Sequence, residues 1–173
     1  MGLRKGHSYS RIKRPYTRKS KVKSKSYIST IPQNKIIRYE MGDKKRKYEY
    51  MLSLVSNQNI QIRHNALESC RQIVNRRLNL RFGSDYLFVL CVYPHHILRE
   101  NKMIVGAGAD RMQKGMQKSF GRPIGLAAQM KKGQAVFFVL VNKEKVDFAK
   151  IALKLAVPRM PGRFTIDIKK LDT

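Results

Sequence analysis

Glycines occur together with basic residues across residues 105–122, which read VGAGADRMQKGMQKSFGR. This stretch holds four glycines and four basic residues (Arg111, Lys114, Lys118 and Arg122), and its apolar residues follow no core-facing spacing. Glycines let backbone N–H groups approach a phosphate closely, and the basic side chains supply the opposite charge. Most loops in a compact domain are about 4–6 residues long, so a loop of this length indicates a function.

The common catalytic motifs do not fit these residues. A dinucleotide-binding fingerprint needs a third glycine where Arg111 stands, and a Walker loop needs Lys and Ser/Thr after Gly115, which Met and Gln follow instead. Glu100 and Asp110 have no neighbouring acid for acid–base or metal chemistry. The adjacent histidines at 95 and 96 make a poor metal pair and are interpreted as polar residues at a strand end. We therefore expect no enzyme activity, no cofactor and no metal site.

The whole chain is strongly basic, with 37 Lys and Arg residues against 11 Asp and Glu and a net charge of +26. Self-repulsion at this charge opposes a compact fold unless a polyanion offsets it, which makes nucleic acid the leading partner. An anionic membrane surface is the weaker candidate because no basic amphipathic stretch ends in an aromatic anchor. No apolar run approaches 18 residues, so no membrane span is expected. Cys70 and Cys91 stand alone in apolar stretches and are expected to be buried, in a reducing cytoplasm.

Residues 1–47 are predicted to form a basic, extended N-terminal arm. Residues 1–50 hold 16 of the 37 Lys and Arg residues and only three acids, and tyrosines alternate with these charges. Cations suit RNA phosphates and flat aromatic rings suit exposed bases. Pro15 and Pro32 favour an extended path over a helix. We expect the arm to be disordered in the free protein and ordered on RNA.

Residues 48–173 are predicted to form a single α+β domain, with two helices on one face of a mostly antiparallel sheet. Alternating or continuous apolar residues predict strands over 48–55, 86–93, 134–141 and 164–171. The strand over 86–93 is expected to be covered on both faces. In the last strand, Phe164, Ile166 and Ile168 are expected to point inward. Residues 123–130 read as a short, mildly apolar segment.

Helical spacing of apolar residues predicts one helix within residues 60–82 and another over 143–157. Asn65 and Glu68 resemble a capping box at the start of the first helix, and Gly83 ends it. Arg71, with Arg76 and Arg77, is expected on its exposed face. Asn142 is expected to cap the second helix.

Several motifs together resemble a known family. They are RHNALE at 63–68, YPHHILRENKM at 93–103, GAGADRMQKGMQKSFGRPIG at 106–125 and VNKEKVDFAKIAL at 141–153, with KRPYTRK at 13–19. In this order and spacing they are similar to the archaeal large-subunit ribosomal protein family L-ten-e, whose bacterial relative is L-sixteen. The resemblance covers essentially the whole chain and implies a hammerhead-like sheet.

The resemblance also implies a structural, non-enzymatic role on large-subunit rRNA near the peptidyl-transferase centre and the aminoacyl-tRNA site. The loop at 105–122 would reach toward tRNA in the aminoacyl and peptidyl sites, and other ribosomal proteins would be neighbours. Candidate rRNA-binding residues are Arg4, Lys5, Arg11, Lys13, Arg14, Tyr16, Arg18, Lys19, Lys21, Lys23, Lys25, Arg63, His64, Asn65, Arg71, Lys102 and Arg122. Candidate tRNA-proximal residues in the loop are Gly106, Gly108, Arg111, Lys114, Gly115, Lys118 and Gly121.

Two other functions remain open at this stage. One is an enzyme acting on nucleic acid, with the loop as a lid over its substrate. The other is a free-standing RNA chaperone or DNA-compacting protein. The lack of an acid cluster and of a cofactor motif argues against the enzyme, and the long, specific loop argues against a generic polycation. A small-molecule substrate is not expected.

Overall fold

The structure is a computed structural model that describes residues 4–12, 22–26, 28, 30–104, 106–113, 116 and 120–171. In chain order its strands are β1 (Glu40–Gly42), β2 (Tyr50–Ser56), β3 (Ile60–Arg63), β4 (Leu87–Leu90), β5 (His96–Glu100), β6 (Arg122–Met130), β7 (Ala135–Val141) and β8 (Phe164–Lys170). The α-helices are α1 (His64–Phe82), α2 (Ala109–Met112) and α3 (Val146–Lys154). Short 3-10 turns lie at Gly6–Tyr9, Lys23–Lys25, Lys143–Lys145 and Val157–Arg159.

The strands form two sheets, and every strand pair is antiparallel. The larger sheet has the order β1-β4-β7-β2-β8, and the smaller, called here the small sheet, has the order β3-β6-β5. The predicted α+β class, with two long helices and antiparallel strands, is confirmed. The small sheet was not predicted, because β3 fell within the segment assigned to the first helix and β6, nine residues long, was read as a short apolar segment.

Helices α1 and α3 pack on one face of the larger sheet. Leu52 of β2 and Phe88 of β4 both lie opposite Val139 of β7, and all three side chains are fully buried in one core that also includes Val74 of α1 and Leu153 of α3. The other face of the sheet is only partly covered.

The prediction that the apolar strand around 86–93 is covered on both faces is therefore wrong. In β4, Phe88 and Leu90 are buried, whereas Leu87 and Val89 are partly exposed. Three further predictions are wrong because the residues lie at the edge or the end of an element. Ile168 is exposed because β8 is an edge strand, Cys91 is exposed just beyond β4, and Asn142 precedes a 3-10 turn without a side-chain capping bond.

The first helix starts differently from its prediction. Its N-cap residue is Arg63, and no side-chain hydrogen bond caps it, so the expected capping box of Asn65 and Glu68 is wrong. Glu68 is instead buried and accepts hydrogen bonds from Arg71 Nε (2.8 Å) and Nη2 (2.6 Å). It also accepts a long hydrogen bond from the backbone N–H of Ile37 (3.4 Å), which attaches the segment before β1 to the helix.

The expected exposure of Arg71 is also wrong, because its side chain is about 90% buried in the pair with Glu68. Burial opposes ionisation of Glu68, but the hydrogen bonds from Arg71 and Gln72 outweigh burial and lower the pKa of the carboxyl below its usual value. Arg71 therefore belongs to the core, and we leave it out of the RNA-facing surface.

The chain enters the folded core before residue 48. Ile36 and Met41 are buried in the main core, and β1 pairs with β4 at the edge of the larger sheet. Ile28 packs with Ile97 and Leu126 in a second, smaller cluster beside the small sheet. The described part of the predicted arm is thus anchored at both sheets.

Replacing Arg71 with alanine should lower the free energy of unfolding by about 3–5 kcal/mol, because the Glu68 carboxylate would stay buried without its partner. The matched control is Arg77→Ala, an exposed arginine on the same helix, which should change it by no more than about 0.5 kcal/mol. Urea unfolding monitored by circular dichroism measures both. Equal losses in the two variants would contradict the structural role of the pair.

Candidate nucleic-acid interface

The small sheet positions the glycine-rich loop at 105–122, called here the central loop. Strands β5 and β6 pair antiparallel on either side of it, and their pairing ends with Glu100 opposite Arg122. The register shifts between Leu98 and Arg99, because β6 has one extra residue there, Ile124, which places a bulge in β6 just after the loop. The central loop is therefore the extended tip of a β-hairpin.

Close contacts hold the base of this hairpin together. Arg99 Nη1 donates a 2.7 Å hydrogen bond to the carbonyl oxygen of Phe120, and its guanidinium lies 4.0 Å from the centre of the Phe120 ring. Gly121 has a φ of +79°, and a Cβ atom there would lie 2.7 Å from the carbonyl carbon of Glu100. Only glycine allows the two strands to approach this closely at that point.

The first half of the central loop is folded back on itself. The side-chain oxygen of Gln113 accepts a 2.6 Å hydrogen bond from the backbone N–H of Ile104, and its Nε2 donates to the carbonyl oxygen of Lys102 (3.1 Å). Gly108, with a φ of +78°, begins the short helix α2. The stretch expected to have no regular structure therefore contains one helical turn.

The surface of the loop is both cationic and apolar. Arg111 is exposed, and its guanidinium contacts no partner among the described residues. The hairpin tip and its flanks also carry exposed apolar side chains: Met103, Ile104, Met112, Met116 and Phe120. Methionine side chains adapt to irregular partners, so this surface can contact a large structured polyanion through charge and apolar contact together.

The N-terminal segment, residues 4–12, docks on the small sheet. Glu100 accepts a 2.6 Å hydrogen bond from Arg4 Nε on one carboxylate oxygen and a 3.1 Å bond from the Tyr9 hydroxyl on the other. The bond from Arg4 is the main cause that lowers the pKa of Glu100 below its usual value. Gln61 of β3 also holds this segment. Its backbone N–H donates a hydrogen bond to the carbonyl oxygen of Ser10 (3.0 Å), and its side-chain Nε2 donates one to the carbonyl oxygen of Tyr9 (2.8 Å).

The motif Arg63-His64-Asn65 lies where β3 passes directly into α1. Arg63 is half-buried, with its guanidinium 5.0 Å from the centre of the Tyr9 ring and a 3.3 Å hydrogen bond to the carbonyl oxygen of Arg4. His64 is only 5% exposed. Its burial, with the nearby Lys35 and Arg63 charges, lowers the pKa of His64 below its usual value, which favours the neutral ring.

The structure divides the predicted site residues into three groups. Those with exposed side chains or backbones are Arg4, Lys5, Arg11, Lys25, Lys102, Gly106, Gly108, Arg111 and Arg122. Those that are half-buried or buried are Arg63, His64, Asn65, Arg71 and Gly121. Those that lie outside the described residues are Lys13, Arg14, Tyr16, Arg18, Lys19, Lys21, Lys114, Gly115 and Lys118. For Lys23 only the backbone turn is described.

Three residues of the interface were not predicted from the sequence. Arg99 and Gln113 brace the central loop, and Lys35 is an exposed cation beside the Arg63-His64-Asn65 motif. Arg99 lies within the family-like motif at 93–103, so its charge and position could have identified it as a candidate from the sequence. The other two are identified only by contacts between distant parts of the chain.

Neither a metal-ligand cluster nor a membrane-spanning helix occurs among the described residues. None of their His, Cys, Asp and Glu side chains form a group of three or more that could hold a metal ion. No helix in this part of the chain is long and apolar enough to cross a membrane.

The fold and this surface define a basic α+β protein with a docked cationic N-terminal segment and an exposed cationic hairpin, suited to a large polyanion. The family described as ribosomal protein L16p/L10e matches residues 12–167, and the chain belongs to this family. The resemblance noted in the sequence is confirmed.

Relatives match over nearly the full chain. The large ribosomal subunit protein uL16 of Sulfolobus acidocaldarius is 45% identical over 176 residues, covering 99% of this chain and 97% of the relative. Proteins of the same name from Saccharolobus islandicus and Saccharolobus solfataricus are 46% and 44% identical over 172 residues, covering 97% of this chain and 93% of each relative. These relatives are archaeal, in agreement with the predicted archaeal type. As a member of this family, the protein is a structural constituent of the large ribosomal subunit and associates with rRNA and other ribosomal proteins.

Replacing Gly121 with alanine should destabilise the hairpin more than the same change at Gly133. Both glycines have positive φ, +79° and +83°, so each variant costs about 1–2 kcal/mol for the backbone conformation alone. At Gly133 nothing lies within 4 Å of an added Cβ, whereas at Gly121 the backbone of Glu100 must move, which should add about 1–3 kcal/mol. Urea unfolding of the two variants tests this, and identical midpoints would contradict the close approach at Gly121.

Proposed function

We propose that the protein binds and orders large-subunit rRNA near the peptidyl-transferase centre, and that the central loop lies beside tRNA and helps to position it during translation. The observation that carries this proposal is an exposed Arg111, with no ion-pair partner in the part of the chain that the structure describes, at the tip of a hairpin whose base is fixed by Arg99, Phe120 and Gly121. The site of action is the ribosome in the cytoplasm.

The arrangement separates a rigid support from a contact surface. The strands β5 and β6 and the docked segment 4–12 fix the direction of the hairpin, whereas the side chains of Arg111 and of the methionines of the tip are exposed. A cation held without a protein partner contributes its full charge to a phosphate. The exposed apolar side chains around it can pack against bases or ribose rings.

Five candidate rRNA contacts are exposed cations outside the tip: Lys5, Arg11 and Arg122 lie on the support, and Lys25 and Lys102 lie elsewhere. Such contacts fix the orientation of a protein on RNA without reading sequence. Arg63 and Asn65 are half-buried and line a cavity at the start of α1.

We also propose that the protein has no catalytic role and that peptide-bond chemistry belongs to the RNA. The carboxylates of Glu68, Asp85 and Glu100 are each held in ion pairs with basic side chains, which leaves none of these three poised for proton transfer. The family is one of structural ribosomal proteins. An enzyme with the loop as a lid would need an acid or nucleophile beneath the loop, and Glu100, the acid at the loop's base, is committed to Arg4 and Tyr9.

Replacing Arg111 with alanine should leave assembly intact and slow tRNA-dependent peptide synthesis by about 10- to 100-fold, the loss expected for one charge-assisted hydrogen bond of about 1.5–3 kcal/mol. The matched control is Arg77→Ala, which removes one exposed arginine from α1. Both variants should co-sediment with large subunits as the unmodified protein does, and peptide synthesis is measured on the purified subunits.

Equal rates for the two variants would contradict a tRNA-facing role of the central loop. Failure of the Arg111→Ala protein alone to co-sediment would instead assign Arg111 to subunit attachment. Salt dependence provides a second readout, because a rate loss that comes from a missing phosphate contact should shrink as salt rises.

A further inference from the structure

We propose that a cavity at the start of α1 holds one unstacked nucleotide of the bound RNA, with its base inside the cavity and its phosphate against Lys35 and Arg63. This inference rests on the proposed function in one respect, namely that the partner is RNA. It assigns a defined base-binding site to a region otherwise expected only to face rRNA.

The cavity lies between the segment before β1, the start of α1 and the small sheet. Its volume is about 250 Å³, and its apolar walls are formed by Pro32, Leu98, Ile124 and Leu126. Pockets for drug-sized ligands hold about 300–1,000 Å³, so this cavity suits a smaller, flat ligand of the size of a single base. Apolar walls exclude water from the faces of such a ring and leave its edges for hydrogen bonds.

His64 supplies a hydrogen-bond donor inside the cavity. Its Nδ1 accepts a long hydrogen bond from the backbone N–H of Lys35 (3.4 Å), so the proton of the neutral ring is on Nε2. Nε2 has no hydrogen-bond partner among the described residues and faces the backbone of Gly125, where a Cβ atom would lie 3.3 Å away. A donor that opens into the cavity without a protein acceptor is available to a ligand, and a ring nitrogen or carbonyl oxygen of a base would accept its hydrogen bond.

The rim of the cavity carries the charge that a phosphate requires. Lys35 is exposed and forms no side-chain ion pair among the described residues, and Arg63, the N-cap residue of α1, also lines the cavity. No side chain caps this helix end, and no acid lies in its first turn. The backbone N–H groups of a 19-residue helix are therefore available at the same rim, with the positive end of the helix dipole.

The position of the cavity gives the nucleotide a structural role. Leu98 belongs to β5, and Ile124 and Leu126 belong to β6, the two strands that carry the central loop. A base inserted between these strands and α1 would fix the hairpin to the RNA at its root. The direction of the central loop would then depend on this one nucleotide.

Nuclear magnetic resonance of the full-length protein, with ¹⁵N-labelled histidine, tests the proposal. The probes are adenosine 5′-monophosphate, uridine 5′-monophosphate, ribose 5-phosphate and inorganic phosphate, each titrated to about 10 mM, where a site of millimolar Kd is mostly filled. We expect at least one nucleotide to shift the His64 ring signals with a Kd at least about tenfold below that of ribose 5-phosphate, a difference of 1.4 kcal/mol. Equal affinities for the nucleotides and ribose 5-phosphate would overturn the base site and leave only an anion site at the helix end. The absence of any shift would overturn both.

Two variants with one matched control localise the binding. Ile124→Trp should fill the cavity and abolish the nucleotide-dependent shift, whereas Ile151→Trp, at an exposed position on α3, should retain it. Lys35→Gln lies at an exposed position and should leave the fold unchanged. It should weaken the binding of every phosphate-containing probe several-fold, and it provides the test if Ile124→Trp does not fold. Unchanged nucleotide binding in both Ile124→Trp and Lys35→Gln would overturn the assignment.

Sedimentation separates this proposal from the proposed function. Unmodified protein that co-sediments with large subunits but shows no nucleotide shift would overturn the cavity proposal and leave rRNA binding standing. Protein that shows the shift but never co-sediments would overturn the ribosomal role and leave the nucleotide site.

Discussion

The carboxylate of Glu100 joins the two parts of the molecule that are suited to face RNA. It stands at the last position of β5, five residues before the central loop, and it binds Arg4 and Tyr9 of the N-terminal segment through its two oxygens. On its backbone side, Gly121 approaches so closely that no side chain fits between the strands. One acid therefore connects the docked segment to the root of the hairpin, and the orientation of the central loop depends on that junction.

The same use of scarce acids recurs elsewhere in the protein. With only 11 acids for 37 basic residues, each acidic side chain can neutralise only a small part of the total charge. Glu68 is buried with Arg71 beneath the segment before β1, and Asp85 binds both Arg46 (2.7 Å) and Lys145. The Asp85 pairs join distant segments, and Glu68 does so through the hydrogen bond that it accepts from the backbone N–H of Ile37. The exposed cations of the loop remain available for a polyanion. The net charge of +26 is thus compatible with a packed core, because the excess lies at the surface.

Sequence periodicity identified the elements that carry large, regularly spaced apolar side chains. Leu52 and Leu54 of β2, and Ala149, Ala152 and Leu153 of α3, are buried as their spacing predicted. The small sheet was not predicted because β6 buries four consecutive residues, Gly125 to Ala128, three of which have a short side chain or none. The sequence of β6 therefore shows neither strand nor helix periodicity. Strand β3 has only four residues and continues directly into α1, so its sequence could not be distinguished from the start of the helix.

The charge and glycine content of the site could also be read from the sequence, but its geometry could not. Arg71 looked like one more surface cation, and only its three-dimensional position beside Glu68 and Met41 shows that it is part of the core. The contact between Arg4 and Glu100 joins residues 96 positions apart, and no local pattern predicts it. The cavity beside His64 likewise requires three separate segments to come together, so only its motif, and not its shape, was visible beforehand.

Photo-crosslinking from the central loop in assembled large subunits tests the central claim most directly. A photoreactive amino acid at Met112, which is 74% exposed on the loop, would be compared with the same residue at Ile151, 57% exposed on α3. If the small sheet presents the central loop to RNA, the probe at Met112 will form adducts with rRNA or tRNA, and the yield will change when tRNA is bound. Adducts from Met112 with ribosomal proteins alone, or an RNA yield unchanged by tRNA and equal to that from Ile151, would contradict it.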